Sequence, residues 1–154
     1  MDIKKTAQQL VNKYRTRDPL VIAEAMGYIV IFAPLRGVRG FYQYYQRCHI
    51  IYLDEDLDDG QRRFVCAHEL GHSLLHSGFN RFFLDSRTFA VTSRFEREAD
   101  RFAAELLFDD QELLEYRELS LDQLAGCLGV SRQWAAERMK TISPQLLEQQ
   151  NVYV

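Results

Sequence analysis

The chain is poor in cysteine, and its cysteines are not arranged for cross-linking. Its 154 residues include only three cysteines, Cys48, Cys66 and Cys127. Their number is odd, they are widely spaced, and no two of them form a C-x-x-C motif. A disulfide framework of the kind that holds small secreted proteins together is therefore not expected. We interpret the three cysteines as reduced thiols in a reducing compartment.

Long apolar runs are also lacking. The start, MDIKKTAQQL, has no apolar stretch after its lysines, so no signal peptide is predicted. No segment approaches the roughly 20 apolar residues that a membrane helix needs. Internal repeats and low-complexity segments are missing too. With 47% hydrophobic and 27% charged residues, the composition is that of a soluble globular protein, which we expect to be cytoplasmic.

The periodicity of apolar residues predicts an α+β fold, in which a small antiparallel or mixed sheet packs on one helix of a mostly helical chain. Residues 78–92 are predicted to be irregular. We place a main domain at residues 1–118 and, packed on it, a helix-turn-helix-like segment at residues 119–154. Helices are predicted at 2–15, 19–26, 61–76, 94–108, 112–117 and on both sides of a turn within 120–140, and strands at 28–32, 41–45 and 49–53.

The strongest chemical signal is an H-E-x-x-H motif, which runs from His68 to His72. On a helix, residues four apart share one face, so the two imidazoles can bind one zinc ion. Glu69, beside the first histidine, can then reach a water molecule at the metal and act as general base. The uncharged neighbours suit a buried helix. The alternative is that these are two unrelated histidines in a core helix.

A third protein ligand is needed to complete an open zinc site. The chain has Leu75 and Gly78 where a metzincin would have glycine and histidine, so that class is excluded. His76 continues the spacing but lies two helical turns, roughly 11 Å, from His68. We therefore interpret His76 as a packing residue or as a residue that contacts a ligand histidine, and not as the third ligand.

Helical geometry selects Glu96 as that third ligand. At about 100° per residue, Glu96 and Asp100 lie at the edge of the apolar face of the predicted helix 94–108. Glu98, Arg101 and Glu105 are predicted on the opposite, solvated face. Asp100 is placed to hydrogen-bond a ligating imidazole and to fix its tautomer. The alternative for Glu96 is a carboxylate at the rim of the helix with no metal.

These motifs together resemble a known family. HELGHSLLH followed by FEREADRFAAELL is similar to the ImmA/IrrE-type metallopeptidases of bacteria, mobile elements and phages. The pattern E-x-x-x-D, here Glu96 to Asp100, resembles that of gluzincins generally. The resemblance implies a zinc-dependent endopeptidase, and implies that its substrate is a helix-turn-helix transcriptional repressor. Cleavage would then switch on a mobile element, a prophage or a stress regulon.

Two other functions stay open at this point. The first is a non-catalytic protein that binds a repressor without cutting it, since some relatives are degenerate. The second is a DNA-binding regulator that uses the C-terminal helix-turn-helix-like segment. Between residues 119 and 143, however, there are three basic and two acidic residues, which gives a net charge of 3 − 2 = +1. So small a charge disfavours binding to phosphates, and we expect a structural or substrate-docking role.

Overall fold

The computed structural model describes residues 2–76 and 89–151, with side chains at residues 2–76 and 93–148. This part of the chain is mostly helical and contains one small mixed sheet, so the predicted α+β fold is confirmed. The elements are α1 (Ile3–Tyr14), α2 (Pro19–Ala25), β1 (Ile29–Ala33), β2 (Gly40–Tyr45), β3 (Cys48–Asp54), α3 (Asp59–Leu75), α4 (Phe89–Leu107), α5 (Asp110–Glu115), α6 (Leu121–Leu128), α7 (Arg132–Lys140) and α8 (Pro144–Asn151).

The sheet has the strand order β1-β3-β2. β2 and β3 are antiparallel and are joined by Gln46 and Arg47, whose φ angles of 47° and 64° suit a tight hairpin turn. β1 runs parallel to β3, so the chain passes from β1 at one edge of the sheet to β2 at the other edge and then returns through the hairpin to β3 in the centre. Ile51 and Leu53 of the central strand are fully buried. The sheet therefore offers one apolar face to the helices.

The chain forms two compact units, residues 1–107 and residues 108–154. The predicted division between residues 118 and 119 stays a prediction; in the structure α5 belongs to the second unit. The core of the first unit contains residues from α1, α2, the sheet, α3 and α4, among them Ala7, Ile22, Ile51, Leu53, Cys66, Leu70, Phe102 and Leu106.

The second unit has an apolar core of its own, and its helices α6 and α7 lie within the helix-turn-helix predicted at residues 120–140. Ser120 and Ser131 accept hydrogen bonds from the first turns of α6 and α7, and Gly129 ends α6 in the left-handed conformation. Helix α8 was not predicted from the sequence. The core residues of this unit are Leu113, Leu114, Leu124, Ala125, Ala135 and Ile142.

The start of α4 differs from its prediction. We expected Ser93 to cap a helix from Arg94, but α4 already begins at Phe89, so Ser93 lies inside the helix. There its hydroxyl accepts a hydrogen bond from Arg97, one turn further on, at 2.9 Å. The predicted irregular segment was thus too long by four residues; its part at 78–88 lies outside the described residues. Within the described ranges, no helix has both the length and the apolarity to cross a membrane.

Candidate metal site

Helices α3 and α4 bring together three side chains that the sequence singled out. The Nε2 atoms of His68 and His72, one turn apart on α3, are 3.1 Å from each other. Glu96 of α4 faces both of them: one carboxylate oxygen is 2.9 Å from His68 Nε2 and the other is 3.0 Å from His72 Nε2. The first helix thus supplies two nitrogens and the second supplies a carboxylate, and all of them converge on one point.

The arrangement of these atoms fits a divalent metal ion. One donor atom from each of His68, His72 and Glu96 can be chosen such that all lie within 4.8 Å of one another. In a tetrahedral zinc site with ligand distances of about 2.0–2.1 Å, neighbouring ligand atoms are roughly 3.3 Å apart. The observed separations of 2.9–3.1 Å are close to this value. Two imidazoles and one carboxylate are also a ligand set that zinc accepts.

The two helices can approach each other because small residues line their contact. A Cβ atom added to Gly71 would lie 2.9 Å from Cδ1 of Phe102 and 3.2 Å from its Cβ, so only glycine fits there. Ala99 and Ala103 of α4 are fully buried, in keeping with the close approach that the sequence predicted for them. At its other end, α3 begins with a capping box in which Asp58 and Gln61 bond each other's backbone.

Asp100 lies behind His68, on the side away from the converging atoms. Its Oδ1 is 2.5 Å from His68 Nδ1, so the imidazole donates this N–H to the carboxylate. In a neutral His68 this hydrogen bond places the lone pair on Nε2, the atom that faces Glu96 and His72; without a metal, Nε2 is protonated and donates to Glu96. Burial lowers the pKa of His68, but the hydrogen bonds with Asp100 and Glu96 outweigh it and raise the pKa to about 9. The bonds with both histidines lower the pKa of Glu96.

A second chain of contacts lies behind His72. Its Nδ1 is 3.0 Å from Nδ1 of His76, and Nε2 of His76 is 2.9 Å from Oε2 of Glu98. The His76 ring also stacks on Phe95, with the ring centres 4.1 Å apart. Burial lowers the pKa of His76, while the bond to Glu98 opposes this effect. His76 thus contacts His72 and lies away from the point where the three donor atoms converge.

The expectation that Glu98 and Glu105 face water was wrong. Glu98 is partly exposed, but one oxygen of its carboxylate contacts His76. Glu105 is buried, at 7% exposure, and its carboxylate lies 3.9 Å from the ammonium group of Lys4 on α1. The helical projection treated α4 as a cylinder with one neighbour, whereas α4 is packed against both α3 and α1. Arg101 alone of the three is exposed.

Glu69 is buried, at 3% exposure, on α3 beside His68. Its negative charge adds to the rise in the pKa of His68. On the preceding turn, burial raises the pKa of the Cys66 thiol to about 12, which keeps that group neutral. Cys66 is therefore a core residue and not a nucleophile.

The tyrosines of the sheet, one of which was considered as a donor to an oxyanion, form a cluster around His49. Tyr42 Oη lies 2.6 Å from His49 Nδ1, and Tyr28 stacks on the His49 ring. Tyr28 in turn shares a hydrogen bond of 2.9 Å with Ser73, the residue after His72. Desolvation raises the pKa of Tyr42 to about 12, with smaller contributions from Tyr28 and Tyr44. The cluster packs the sheet, and no tyrosine is assigned a chemical role.

Comparison with known proteins agrees with this geometry. Residues 23–140 match the model of a peptidase family described as the IrrE N-terminal-like domain. The chain belongs to this family. The match covers the sheet, α3 and α4, and so contains every residue of the candidate metal site. Membership supports a metallopeptidase-like protein that carries a metal ion and acts on a protein substrate.

Two relatives show how far the similarity extends. The chain is 38% identical over 136 residues to "Uncharacterized immunity region protein 2" of Bacillus phage phi105, which covers 86% of each chain. It is 29% identical over 115 residues to "Metallopeptidase ImmA" of Bacillus subtilis (strain 168), covering 73% of this chain and 67% of that protein. The resemblance to ImmA/IrrE-type metallopeptidases is thereby confirmed.

Proposed function

We propose that this protein is a zinc-dependent endopeptidase in which His68, His72 and Glu96 bind one zinc ion and Glu69 is the general base. The observation that carries the proposal is the convergence of two imidazole nitrogens and one carboxylate at separations of 2.9–3.1 Å. Three protein ligands leave a fourth position open, as in catalytic zinc sites. A structural zinc site would have four protein ligands and no need of a carboxylate beside the first histidine.

The protein's own residues have distinct parts in the proposed reaction. A bound zinc ion would supply Lewis acidity at the scissile carbonyl and would lower the pKa of a water molecule. Glu69 accepts the proton of the attacking water and then delivers it to the leaving amine. Asp100 holds the tautomer of His68 in which Nε2 is free to bind metal, through their 2.5 Å contact. No residue is assigned to the oxyanion.

The proposed substrate is a helix-turn-helix transcriptional repressor, whose cleavage would derepress a mobile element, a prophage or a stress regulon. The family resemblance supports this substrate, and the similarity to an immunity region protein of a phage supports the setting. Such a reaction belongs to the cytoplasm of a bacterial cell. In this proposal residues 1–118 form the peptidase domain and residues 119–154 form an appended helix-turn-helix-like segment.

The C-terminal segment is proposed to pack or to dock substrate rather than to bind DNA. Of its three basic residues, Arg138 is buried and donates hydrogen bonds to Phe108 O at 2.6 Å and Asp110 Oδ1 at 2.7 Å. Arg132 lies 3.6 Å from Asp122. Both cations thus have carboxylate partners within the unit, which further disfavours binding to a phosphate backbone.

The test combines metal analysis with cleavage assays on any helix-turn-helix repressor that the neighbouring genes encode. Protein purified without chelator or added metal is expected to contain about one zinc per chain. Glu96→Ala is expected to lose zinc affinity and cleavage together. Its matched control is Glu112→Ala, which removes an exposed glutamate of α5 and should leave both unchanged.

The outcomes separate the proposal from its rivals. Folded wild-type protein that cleaves the repressor without any metal would contradict the proposed mechanism. Protein that binds zinc and binds the repressor, but leaves it intact under all conditions, would show the non-catalytic anti-repressor instead. Rapid digestion of casein at many sites would contradict specificity for a folded regulator.

A further inference from the structure

The two proposed histidine ligands differ in what lies behind them. His68 Nδ1 contacts a carboxylate directly, that of Asp100. His72 Nδ1 contacts another imidazole, that of His76, and only the far nitrogen of His76 contacts a carboxylate, that of Glu98. Both carboxylates come from α4, so this helix supports each histidine of α3 from behind in addition to supplying Glu96.

The donors and acceptors in this second chain have one consistent order. A glutamate carboxylate only accepts, so Nε2 of His76 carries the proton that is donated to Glu98. A neutral His76 protonated at Nε2 has its lone pair on Nδ1. That lone pair accepts from His72 Nδ1–H across 3.0 Å, which leaves the lone pair of His72 on Nε2. This is the nitrogen that faces His68 and Glu96.

Packing also holds in place this chain of contacts from His72 through His76 to Glu98, which we call the relay. His76 is 8% exposed, and its ring is stacked on Phe95 at an interplanar angle of 28°. Its backbone N–H closes the last turn of α3 by bonding the carbonyl of His72 at 3.0 Å. The His76 ring is therefore fixed at the end of the helix, and its orientation is set by contacts with both α3 and α4.

We infer that Glu98 and His76 are positioning residues for His72, which hold this imidazole in the tautomer and orientation that bind metal. The inference rests on the proposed metal site and extends it. It assigns to α4 a carboxylate behind each histidine, Asp100 acting directly and Glu98 through His76. It also differs from the sequence-based expectation that Glu98 faces solvent, under which Glu98→Ala would leave zinc binding unchanged.

The test measures the apparent zinc dissociation constant of purified variants by competition with a chromophoric chelator. His76→Phe keeps an aromatic ring against Phe95 but removes the acceptor, and should weaken zinc binding about 10- to 100-fold. Glu98→Ala should weaken it roughly tenfold, at the low end of that range because it acts through His76. Asp100→Ala serves as the reference for a carboxylate that contacts its histidine directly.

Two conservative variants should restore part of the loss. Glu98→Gln keeps an oxygen that accepts from His76 Nε2–H, so it should bind zinc more tightly than Glu98→Ala. His76→Asn offers a side-chain oxygen near the place of Nδ1 and should bind more tightly than His76→Phe. The matched control is Arg94→Ala, which removes the exposed partner of Glu98 at 3.6 Å and leaves the contact with His76 in place. Its zinc affinity should be that of wild type.

A spectroscopic measurement distinguishes positioning from a general loss of structure. In zinc-loaded wild-type protein, nitrogen-15 spectra should show a slowly exchanging proton on His72 Nδ1. His76→Phe should lose this resonance while the far-ultraviolet circular dichroism of the metal-free protein stays unchanged. A purely structural role for His76 would alter the circular dichroism and the stability without a selective effect on this proton.

The possible results are distinguishable. Wild-type zinc affinity in both His76→Phe and Glu98→Ala, with Asp100→Ala impaired, would contradict the inference and leave the metal site standing. A wild-type protein that does not bind zinc would contradict the proposed function and the inference together. If Arg94→Ala weakened zinc binding as much as Glu98→Ala does, the effect would come from the ion pair between Arg94 and Glu98 and not from the relay, which would contradict the inference.

Discussion

Each of the two units buries a cluster of charged and polar side chains, and the clusters differ in how their hydrogen bonds balance. In the C-terminal unit, Arg138 is 4% exposed and donates to Phe108 O, Asp110 and Thr141, while the second oxygen of Asp110 accepts from the Ser143 backbone. Donors and acceptors match. The cluster joins the start of α5 to the end of α7 and needs nothing further.

The cluster of the N-terminal unit is different, because acceptors converge on one another. Once His68 donates its Nδ1–H to Asp100, its Nε2 carries a lone pair that faces Glu96 and His72 Nε2. Such a group of atoms is stable only with a proton or a cation among them, and in the metal-free protein the second proton of His68 has that role. The cluster around Arg138 therefore holds its unit together by itself, whereas the cluster around His68 has the role, in our proposal, of exchanging this proton for a metal ion.

The largest effect is expected at Glu69, the proposed general base. Glu69→Gln should lower cleavage of the repressor by about 10² to 10⁴, because loss of a general base typically costs that much in rate. Zinc content and circular dichroism should stay close to those of wild type. Cleavage by Glu69→Gln at the wild-type rate would contradict the mechanism.

The cluster around Arg138 and Asp110 can be disrupted by a substitution outside the candidate metal site. Arg138→Met leaves the carboxylate of Asp110 buried without its cation, and should destabilise the C-terminal unit by about 3–5 kcal/mol. Urea unfolding followed by the fluorescence of Trp134, the single tryptophan, reports on this unit. Zinc affinity should not change.

The matched control is Arg132→Met, which removes an exposed arginine 3.6 Å from Asp122. Exposed ion pairs contribute about 0–1 kcal/mol, so the unfolding midpoint should hardly move. Equal losses in the two variants would show that Arg138 is no more important to the unit than a surface cation.

The helix contact that brings the metal residues together can be tested at Gly71. Gly71→Ala places a methyl group within 2.9 Å of Phe102, and overpacking of this kind costs about 1–3 kcal/mol. Zinc affinity should fall as well, since α4 has to move away from α3. Chemical unfolding and zinc competition measure the two effects.

Gly126→Ala is the control for this variant, because an added methyl group at Gly126 of α6 meets no atom within 4 Å. It should stabilise the protein by roughly 0.5–1 kcal/mol through helix propensity. Destabilisation by both alanines alike would mean that the close approach at Gly71 is not what matters.

A last expected effect is a pH dependence, which we expect at the proposed metal site and not in the cluster around Arg138. In the metal-free protein, the pKa of His68 is raised to about 9, so at pH 7.5 this imidazole holds a proton that zinc has to displace. The apparent zinc affinity should therefore rise about tenfold per pH unit below pH 9 and then level off. Competition titrations between pH 7 and pH 10 measure it.

The stability of the metal-free protein should change in the opposite direction. Because the folded pKa of His68 lies above its unfolded value, its contribution is complete below about pH 6.5 and is lost as pH rises through about 9. The melting temperature of the metal-free protein should thus fall as pH rises through this window. A metal-free protein that becomes more stable from pH 7 to pH 9 would contradict the assigned protonation of His68.

Much of the fold was predictable because its signals are local. The side-chain caps at Asp58, Ser120 and Ser131 and the left-handed end of α6 at Gly129 depend on only a few neighbouring residues. The start of α4 and the existence of α8 were not predicted. Both stretches are short, and a short helical stretch carries only a weak local signal.

Within the candidate site, the sequence placed Glu96 and Asp100 on the side of α4 that faces α3, because their spacing relative to the apolar face is a property of any helix. It misplaced Glu98 and Glu105, because a helical projection does not show how many neighbours a helix has. A signal for the contact of Glu98 was present: His76 continues the spacing of His68 and His72, and a buried imidazole at a helix end requires a partner.

By itself the sequence determined the family, the helical spacing of the H-E-x-x-H motif and the residues that could bind a metal, since these follow from residue types at fixed distances along one helix. Only the tertiary structure decided which carboxylate lies behind each histidine. That choice depends on the rotation and close approach of α4 against α3, which a single glycine at position 71 and the ring of Phe102 control. Contacts between elements distant in sequence leave no local period, so they appear only when the chain is folded.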